Sequence, residues 1–272
     1  MTGYRHERVT GRITRITDIA GVACYLIEGN EKACLLDTCC GYGDLKEYVS
    51  FLTDKEVFVI LTHGHYDHTG SASLFETVCM SHADLPVLAK HAKERENFLA
   101  EDKKMIPALA GIEMKDLGPL YTGIPRDIND GQLFDLGGAT LEMIAVRGHT
   151  PGMMCALLRE ERVMFFGDAC GMNVLLHDEY ASCVSEYLAS LEKLKQYEEC
   201  YDMVLRNHGS FTNPKDLLDE VILCCRQILA GRDDHHPVTM FAKTLYEAKE
   251  TINGKRKDGR YGNIVYAAEK QK

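Results

Sequence analysis

An unbroken apolar run, Val57-Phe58-Val59-Ile60-Leu61, leads without a spacer into Thr62-His63-Gly64-His65-Tyr66-Asp67-His68-Thr69-Gly70. A short run rich in β-branched residues predicts a strand covered on both faces, and so a sheet with further layers above and below it. The polar residues begin at its carboxyl end, where α/β folds tend to place their chemistry. Side chains alternate along an extended chain, so His63 and His65 project to one side, and Asp67 and His68 follow on a turn entering a helix. Three imidazoles and a carboxylate among six residues form a nitrogen- and oxygen-rich set suited to a metal ion. A polar loop that merely happens to be rich in histidine is the bland alternative. Four potential ligands at this density after an apolar strand argue against it.

The rest of the chain alternates strand-like and helical stretches. Strands are expected over 12–16, 22–28 and 33–37, a short helix over 44–52, and a charged helix over 84–99. From about 101 to 130 the periodicity weakens, and Pro107, Pro119 and Pro125 interrupt it. Residues 84–130 therefore read as an insert whose distal part is either a lid over a site or a plain surface loop. A second block of strands is expected over 133–136, 140–146, 153–158 and 162–166, with a turn at Arg159-Glu160-Glu161. Val184, Tyr187, Leu188, Leu191 and Leu194 recur at helical spacing, the mark of a helix with one buried face. Residues 203–205 form a short strand. The last helix is expected to take Asn213 as its cap and Pro214 as its first residue, and to end before Gly231. Residues 232–272 form a tail with the turn dipeptides Asn253-Gly254 and Asp258-Gly259, packed on a unit spanning 1–231. Two successive runs of strands followed by helices suit two stacked sheets with helices outside.

Further candidate ligands follow later predicted strands: His149 in Gly148-His149-Thr150-Pro151-Gly152, Asp168 after Phe166-Gly167, and His208 in Asn207-His208-Gly209. Each lies beside a glycine, which lets backbone approach closely. With His-x-His-x-Asp-His at 63–68, this order resembles the metallo-β-lactamase fold superfamily of metal-dependent hydrolases over roughly residues 10–231. The resemblance implies an α/β fold, a four-layer αββα sandwich of two mixed sheets with outer helices, and two divalent metal ions at the sheet edge. It implies that His63, His65 and His149 hold one ion, that Asp67, His68 and His208 hold the second, and that Asp168 bridges them. Asp37, after the strand that precedes it, would orient a ligand from behind. A hydroxide between the ions would be the nucleophile, its pKa lowered towards about 7, and Asp67 would also steer the released proton. Zinc suits the set best, and iron or manganese is admitted because no thiolate is required.

The chain departs from the family pattern at several positions. Ser71 replaces a frequent second glycine, Asn207 replaces a glycine common before the last histidine, and Asp168 stands where many true β-lactamases have cysteine. His65 occupies a position that is glutamate in the family's diiron flavoproteins. Ala169-Cys170-Gly171-Met172 lacks the tyrosine frequent in its lactonases. These differences point away from antibiotic hydrolysis and oxygen reduction, and they weaken a lactonase reading. Cys170 reads as a buried thiol rather than a ligand.

Net charge is −10, from 31 basic and 41 acidic residues, which makes nucleic acid a poor partner. None of the eleven cysteines is spaced as Cys-x-x-Cys, and with no regular framework they suit a reducing compartment. No apolar run reaches the length of a membrane span, and residues 1–8 lack the apolar stretch of a secretory signal, so a cytoplasmic location is expected. The expected function is a metal-dependent hydrolase cleaving a small intracellular ester or thioester, of glyoxalase II type. A phosphodiesterase acting on a small phosphodiester, a lactonase and a non-catalytic metal-bearing module are the alternatives. Lys255, Arg256, Lys257 and Arg260 either anchor an anionic substrate or form a solvated turn. His82, His91, His235 and His236 lack ligand-like context, and His177 lines either a substrate pocket or a surface loop.

Overall fold

The computed structural model describes residues 3–272; Met1 and Thr2, the first positions of the expected 1–231 unit, lie outside the described residues. The first sheet contains, in spatial order, β1 (Arg5–Arg8), β2 (Ile13–Thr17), β3 (Ala23–Glu28), β4 (Lys32–Leu36), β5 (Glu56–Ile60), β6 (Val78–Met80) and β7 (Arg126–Asp127). Its first four strands are antiparallel, and β4 to β7 run parallel. The second part of the chain supplies β8 (Leu133–Asp135), β9 (Thr140–Ala145), β10 (Met154–Leu158), β11 (Val163–Phe165), β12 (Val174–Leu176), β13 (Met203–Leu205) and β14 (Thr212–Asn213). All but β12 form a second sheet, in the order β14-β13-β11-β10-β9-β8, with β11 and β13 parallel. The helices are α1 (Leu45–Ser50), α2 (Tyr66–Thr69), α3 (Leu85–Met105), α4 (Val184–Lys195) and α5 (Leu217–Leu229).

Three apolar seams separate four layers. Along β3 every residue from Ala23 to Ile27 is buried, because successive side chains serve opposite faces that are both covered. Tyr25 and Ile27 meet Met143, Ala156 and Phe165 between the sheets, with the Tyr25 and Phe165 rings edge-on at 5.0 Å. Leu26, Leu35 and Val59 face outward onto Leu45 and Val49 of α1 and Leu88 of α3. On the far side, Tyr187, Leu191 and Val221 of α4 and α5 cover Ile144, Leu157 and Val204. This is the αββα sandwich that the resemblance implies.

Three stretches differ in detail from expectation. The last helix begins at Leu217 rather than Pro214, because Asn213 pairs with Val204 in the second sheet and its side chain exchanges hydrogen bonds with Ser210 at 2.9 and 2.7 Å. Helix α3 runs on to Met105. After it, Leu109 and Leu117 pack with Leu99 onto Cys40 and Tyr42, and the Gly118 amide donates to the Gly41 carbonyl at 2.9 Å. The 232–272 segment adds strands β15 (His236–Met240), β16 (Lys243–Glu247), β17 (Thr251–Ile252), β18 (Lys255–Arg256) and β19 (Ile264–Tyr266). Of these, β15, β16 and β19 form a third sheet with β12, in which β19 runs parallel to β12. Asn253 and Gly254, at φ 53° and 73°, make the turn between β17 and β18, as that dipeptide predicts.

Candidate metal centre

The pairing directions place β4 and β5 parallel in one sheet, and β9, β11 and β13 in a common direction in the other. Their carboxyl ends gather at one edge of the sandwich, so each delivers a polar residue there: Asp37 after β4, His63 and His65 after β5, His149 after β9, Asp168 after β11 and His208 after β13. Asp67 and His68 come from the single turn of α2. The sheets are stitched together at this edge. Met154 N–H donates to Thr62 O and Ala23 N–H to Asn207 O, both at 2.9 Å, and the Tyr25 hydroxyl donates to Arg206 O.

The structure brings all seven expected ligand residues together. Ligand atoms of His63, His65 and His149 lie within 4.8 Å of one another, as do those of Asp67, His68 and His208, and those of His63, His68 and Asp168. Asp168 Oδ2 stands 3.6 Å from His68 Nε2, 3.8 Å from His149 Nε2 and 3.5 Å from His208 Nε2, between the two histidine groups.

Hydrogen bonds on the outer side decide which nitrogen faces inward. His68 Nδ1–H donates to Asp37 Oδ2 at 2.9 Å, and His149 Nδ1–H to Leu175 O at 2.9 Å. The Thr62 hydroxyl donates to Asp37, which leaves its oxygen to accept from His63 Nδ1–H at 3.1 Å. In the neutral imidazole the second nitrogen then carries a lone pair, so Nε2 of His63, His68 and His149 present lone pairs to the centre. His68 Nε2 faces His208 Nε2 at 3.1 Å, and His149 Nε2 faces His65 Nδ1 at 3.0 Å. His63 Nε2 and Asp168 Oδ1 are buried with no hydrogen-bond partner. A buried imidazole nitrogen and a buried carboxylate oxygen that no donor reaches are what a cation site requires, so the residues fit divalent metal ions.

Burial pushes the His63 and His65 imidazoles well down, and the neighbouring histidines add to it. Burial opposes charge on His68 as well, but Asp37, Asp67 and Asp168 outweigh it and hold that imidazole well above its usual range. Asp67 and Asp168 likewise resist burial through the imidazoles beside them, which hold both carboxyls low.

Asp37 does more than the expected orientation of one ligand. It sits at φ 65°, a left-handed conformation that aspartate tolerates at some cost. There it accepts from Thr62 N–H at 2.7 Å, the Thr62 hydroxyl, His68 and, at 3.0 Å, Asn207 Nδ2. Asn207 also donates to Ala23 O at 2.7 Å. The amide that replaces the family's usual glycine thus ties both sheets to Asp37.

Sequence reasoning missed two neighbours. Asp84, the first residue of the charged helix expected over 84–99, precedes α3, and its buried carboxylate accepts from Gly64 N–H at 2.8 Å, the Thr150 hydroxyl at 2.7 Å and Gly152 N–H at 2.5 Å. It clamps the loop of His63 and His65 to the loop of His149. His91 of α3 stacks on His65 with ring centroids 4.3 Å apart and accepts from Tyr66 N–H at 3.3 Å. Of the remaining candidates, Cys170 is fully buried, its Sγ against Leu217 O. Arg256 is occupied by Asp258 and the Gly262 carbonyl. His82 bonds Pro125 O at 2.8 Å, His235 stacks on Tyr246, and His236 lies in β15. His177 follows β12 and stacks with Phe241 at 4.6 Å, so the β15–β16 tip leans over the strand that orients His149.

Residues 18–201 match the family model described as the metallo-beta-lactamase superfamily. Acyl-coenzyme A thioesterase MBLAC2 of Homo sapiens is 25% identical over 183 residues, covering 62% of this chain and 66% of that relative, just under two thirds of its length. Atrochrysone carboxyl ACP thioesterase AgnL7 of Paecilomyces divaricatus is 28% identical over 212 residues, 71% of this chain and 54% of its own. Among solved structures, a metallo-beta-lactamase from Pontibacter korlensis superposes with a TM-score of 0.61 at 16% identity, covering 82% of this chain and 99% of the other, a likeness of fold. With a family model spanning well over half its length and a histidine–aspartate cluster at the expected sheet edge, the chain belongs to the metallo-beta-lactamase superfamily of hydrolytic enzymes.

Proposed function

We propose that this protein hydrolyses a small thioester or ester with the help of two divalent cations, zinc first among them. The observation that carries this reading is the inward turn of three imidazoles, whose outer nitrogens are tied to Asp37, Thr62 and Leu175, onto a shared Asp168 carboxylate. His63, His65 and His149 would hold one ion, Asp67, His68 and His208 the other, and Asp168 would contact both. When bound, such ions supply an acidified water and stabilise negative charge developing on a carbonyl oxygen. Asp37 and Leu175 O keep the imidazoles in the tautomer that offers Nε2. Asp67 Oδ2, 3.3 Å from His208 Nε2, both binds and steers the proton released during attack. The names of the two relatives, an acyl-coenzyme A and an ACP thioesterase, support a thioester. Eleven cysteines that form no disulfide among the described residues support a reducing, cytoplasmic setting.

The test is thiol release from short- and long-chain acyl-coenzyme A by zinc-loaded protein, beside p-nitrophenyl acetate, a lactone panel and bis-p-nitrophenyl phosphate. Thioester or ester turnover should dominate. Preferential phosphodiester cleavage would refute the acyl reading, and inertness across the panel would favour a non-catalytic metal module. With zinc in saturating excess, Asp67→Asn should lower turnover by about 100-fold; full turnover with both metals present would remove the proton-steering role.

A further inference from the structure

An imidazole that holds a metal is oriented by what its other side touches. His63, His68 and His149 each donate from the outer Nδ1, to Thr62, Asp37 and Leu175 O. His65 is different. It turns Nδ1 inward to face His149, and among the described residues no hydrogen bond reaches its Nε2. Its ring is held by stacking instead: His91 of α3 lies against it with centroids 4.3 Å apart and planes 21° from parallel. Phe98, two turns further along α3, stacks on His91 at 4.6 Å. Tyr66 ends the column, 4.7 Å from Phe98 with planes 5° apart, and its hydroxyl donates to Asp102 of α3.

The same imidazole serves α2. That helix is a single turn whose N-cap, His65, makes no side-chain capping bond, so its first N–H groups depend on acceptors from elsewhere. Tyr66 N–H finds one in His91 Nδ1 at 3.3 Å. A backbone N–H only donates, so this nitrogen carries the lone pair and the ring proton sits on Nε2. The turn capped in this way carries Asp67 and His68, two of the three residues assigned to the second ion. A phenyl ring could supply the stack and a carboxamide the acceptor. An imidazole supplies both.

We propose that His91 is a positioning residue for both groups of metal ligands: its face fixes the ring of His65, and its Nδ1 fixes the turn that carries Asp67 and His68. One side chain of the insert thus braces two sites. The inference rests on the ion assignments proposed above, but its first test needs no metal, and it is independent of which bond the enzyme cleaves.

Three variants of the full chain separate the two contacts. His91→Phe keeps the stack and loses the acceptor, His91→Asn keeps an acceptor and loses the stack, and His91→Ala loses both. In the metal-free protein, amide exchange followed by NMR should be at least about 10-fold faster at Tyr66 in His91→Phe and His91→Ala than in the parent or His91→Asn. Zinc is then titrated against a chromophoric chelator, with the imidazole resonances of His149 and His208 reporting which site fills. Affinity at the His149 site should fall about 10-fold in His91→Asn and hold in His91→Phe; affinity at the His208 site should do the reverse. His91→Ala should lose both. Unchanged Tyr66 exchange in His91→Phe, unchanged zinc affinities in His91→Ala, or equal losses at both sites in His91→Phe and His91→Asn, as general destabilisation would give, would each overturn the proposal. A parent that binds no zinc would refute the ion assignments instead, and exchange at Tyr66 then decides the role of His91. Should His91→Ala fail to fold, the other two variants decide.

Discussion

The contacts of Asp84 allow the cost of a single-atom change to be worked out. Its Oδ2 serves Gly64 N–H and the Thr150 hydroxyl, and its Oδ1 serves Gly152 N–H. Asp84→Asn keeps the shape but offers one oxygen. The Thr150 hydroxyl can rotate to accept from the new amide, but a backbone N–H cannot. Whichever way the amide turns, the N–H of Gly64 or of Gly152 is left facing an NH₂ group. A buried donor without an acceptor costs about 1–3 kcal/mol, and losing charge assistance at the surviving bonds adds to it, so about 3 kcal/mol is expected. That is a large share of a stability of roughly 5–15 kcal/mol. The clamp joins the loops of His63, His65 and His149, so affinity for an ion held by those three should fall about 10- to 100-fold. An ion held by Asp67, His68 and His208 should be retained. Urea unfolding of the metal-free protein reads the first effect, and zinc competition against a chromophoric chelator reads the second. A variant within about 0.5 kcal/mol of the parent, with both zinc affinities unchanged, would refute the reasoning.

Three further outcomes follow from the same structure. Gly70→Ala would place a Cβ 2.1 Å from the Cys40 carbonyl carbon, and backbone has to move; a loss of about 3 kcal/mol is expected, measured by urea unfolding, and a neutral result would show that the loop yields freely. Removing metal with a chelator should lower the thermal midpoint by several degrees, and zinc should restore it; identical midpoints with and without zinc would contradict a folded-state metal site. Burial opposes charge on Glu28, but Arg8, Lys55 and Thr53 outweigh it and lower its pKa below the ordinary 4.5. Its folded pKa lies below the unfolded one, so its contribution is present above about pH 4.5 and is lost as pH falls through the folded value. Glu28→Gln should therefore flatten the acid limb of the stability profile; an unchanged limb would refute the pairing.

Periodic burial made much of the fold legible. Val57 to Leu61 reads as a strand because both its faces are covered, and Val184, Tyr187, Leu191 and Leu194 reveal a helix because one face of α4 is buried. The site was legible where ligand types sit at glycine-flanked strand ends. Residues with ordinary local explanations stayed hidden. Asp84 reads as the first residue of a charged helix, His91 as a histidine without ligand-like context, and Asn213 as a cap although its backbone is committed to β14. In each case the deciding partner lies more than eight residues away in the chain, beyond the reach of local spacing.

The position of β19 has a consequence for biosynthesis. It pairs with β12, whose Leu175 carbonyl fixes the tautomer of His149. A growing chain that has reached only Gly231 already carries every candidate ligand, yet Ile264–Tyr266 have not been made and β12 lacks its strand partner. Translation must therefore run about thirty-five residues past Gly231, to Tyr266, before β12 gains its strand partner and the carbonyl behind His149 is braced from both sides.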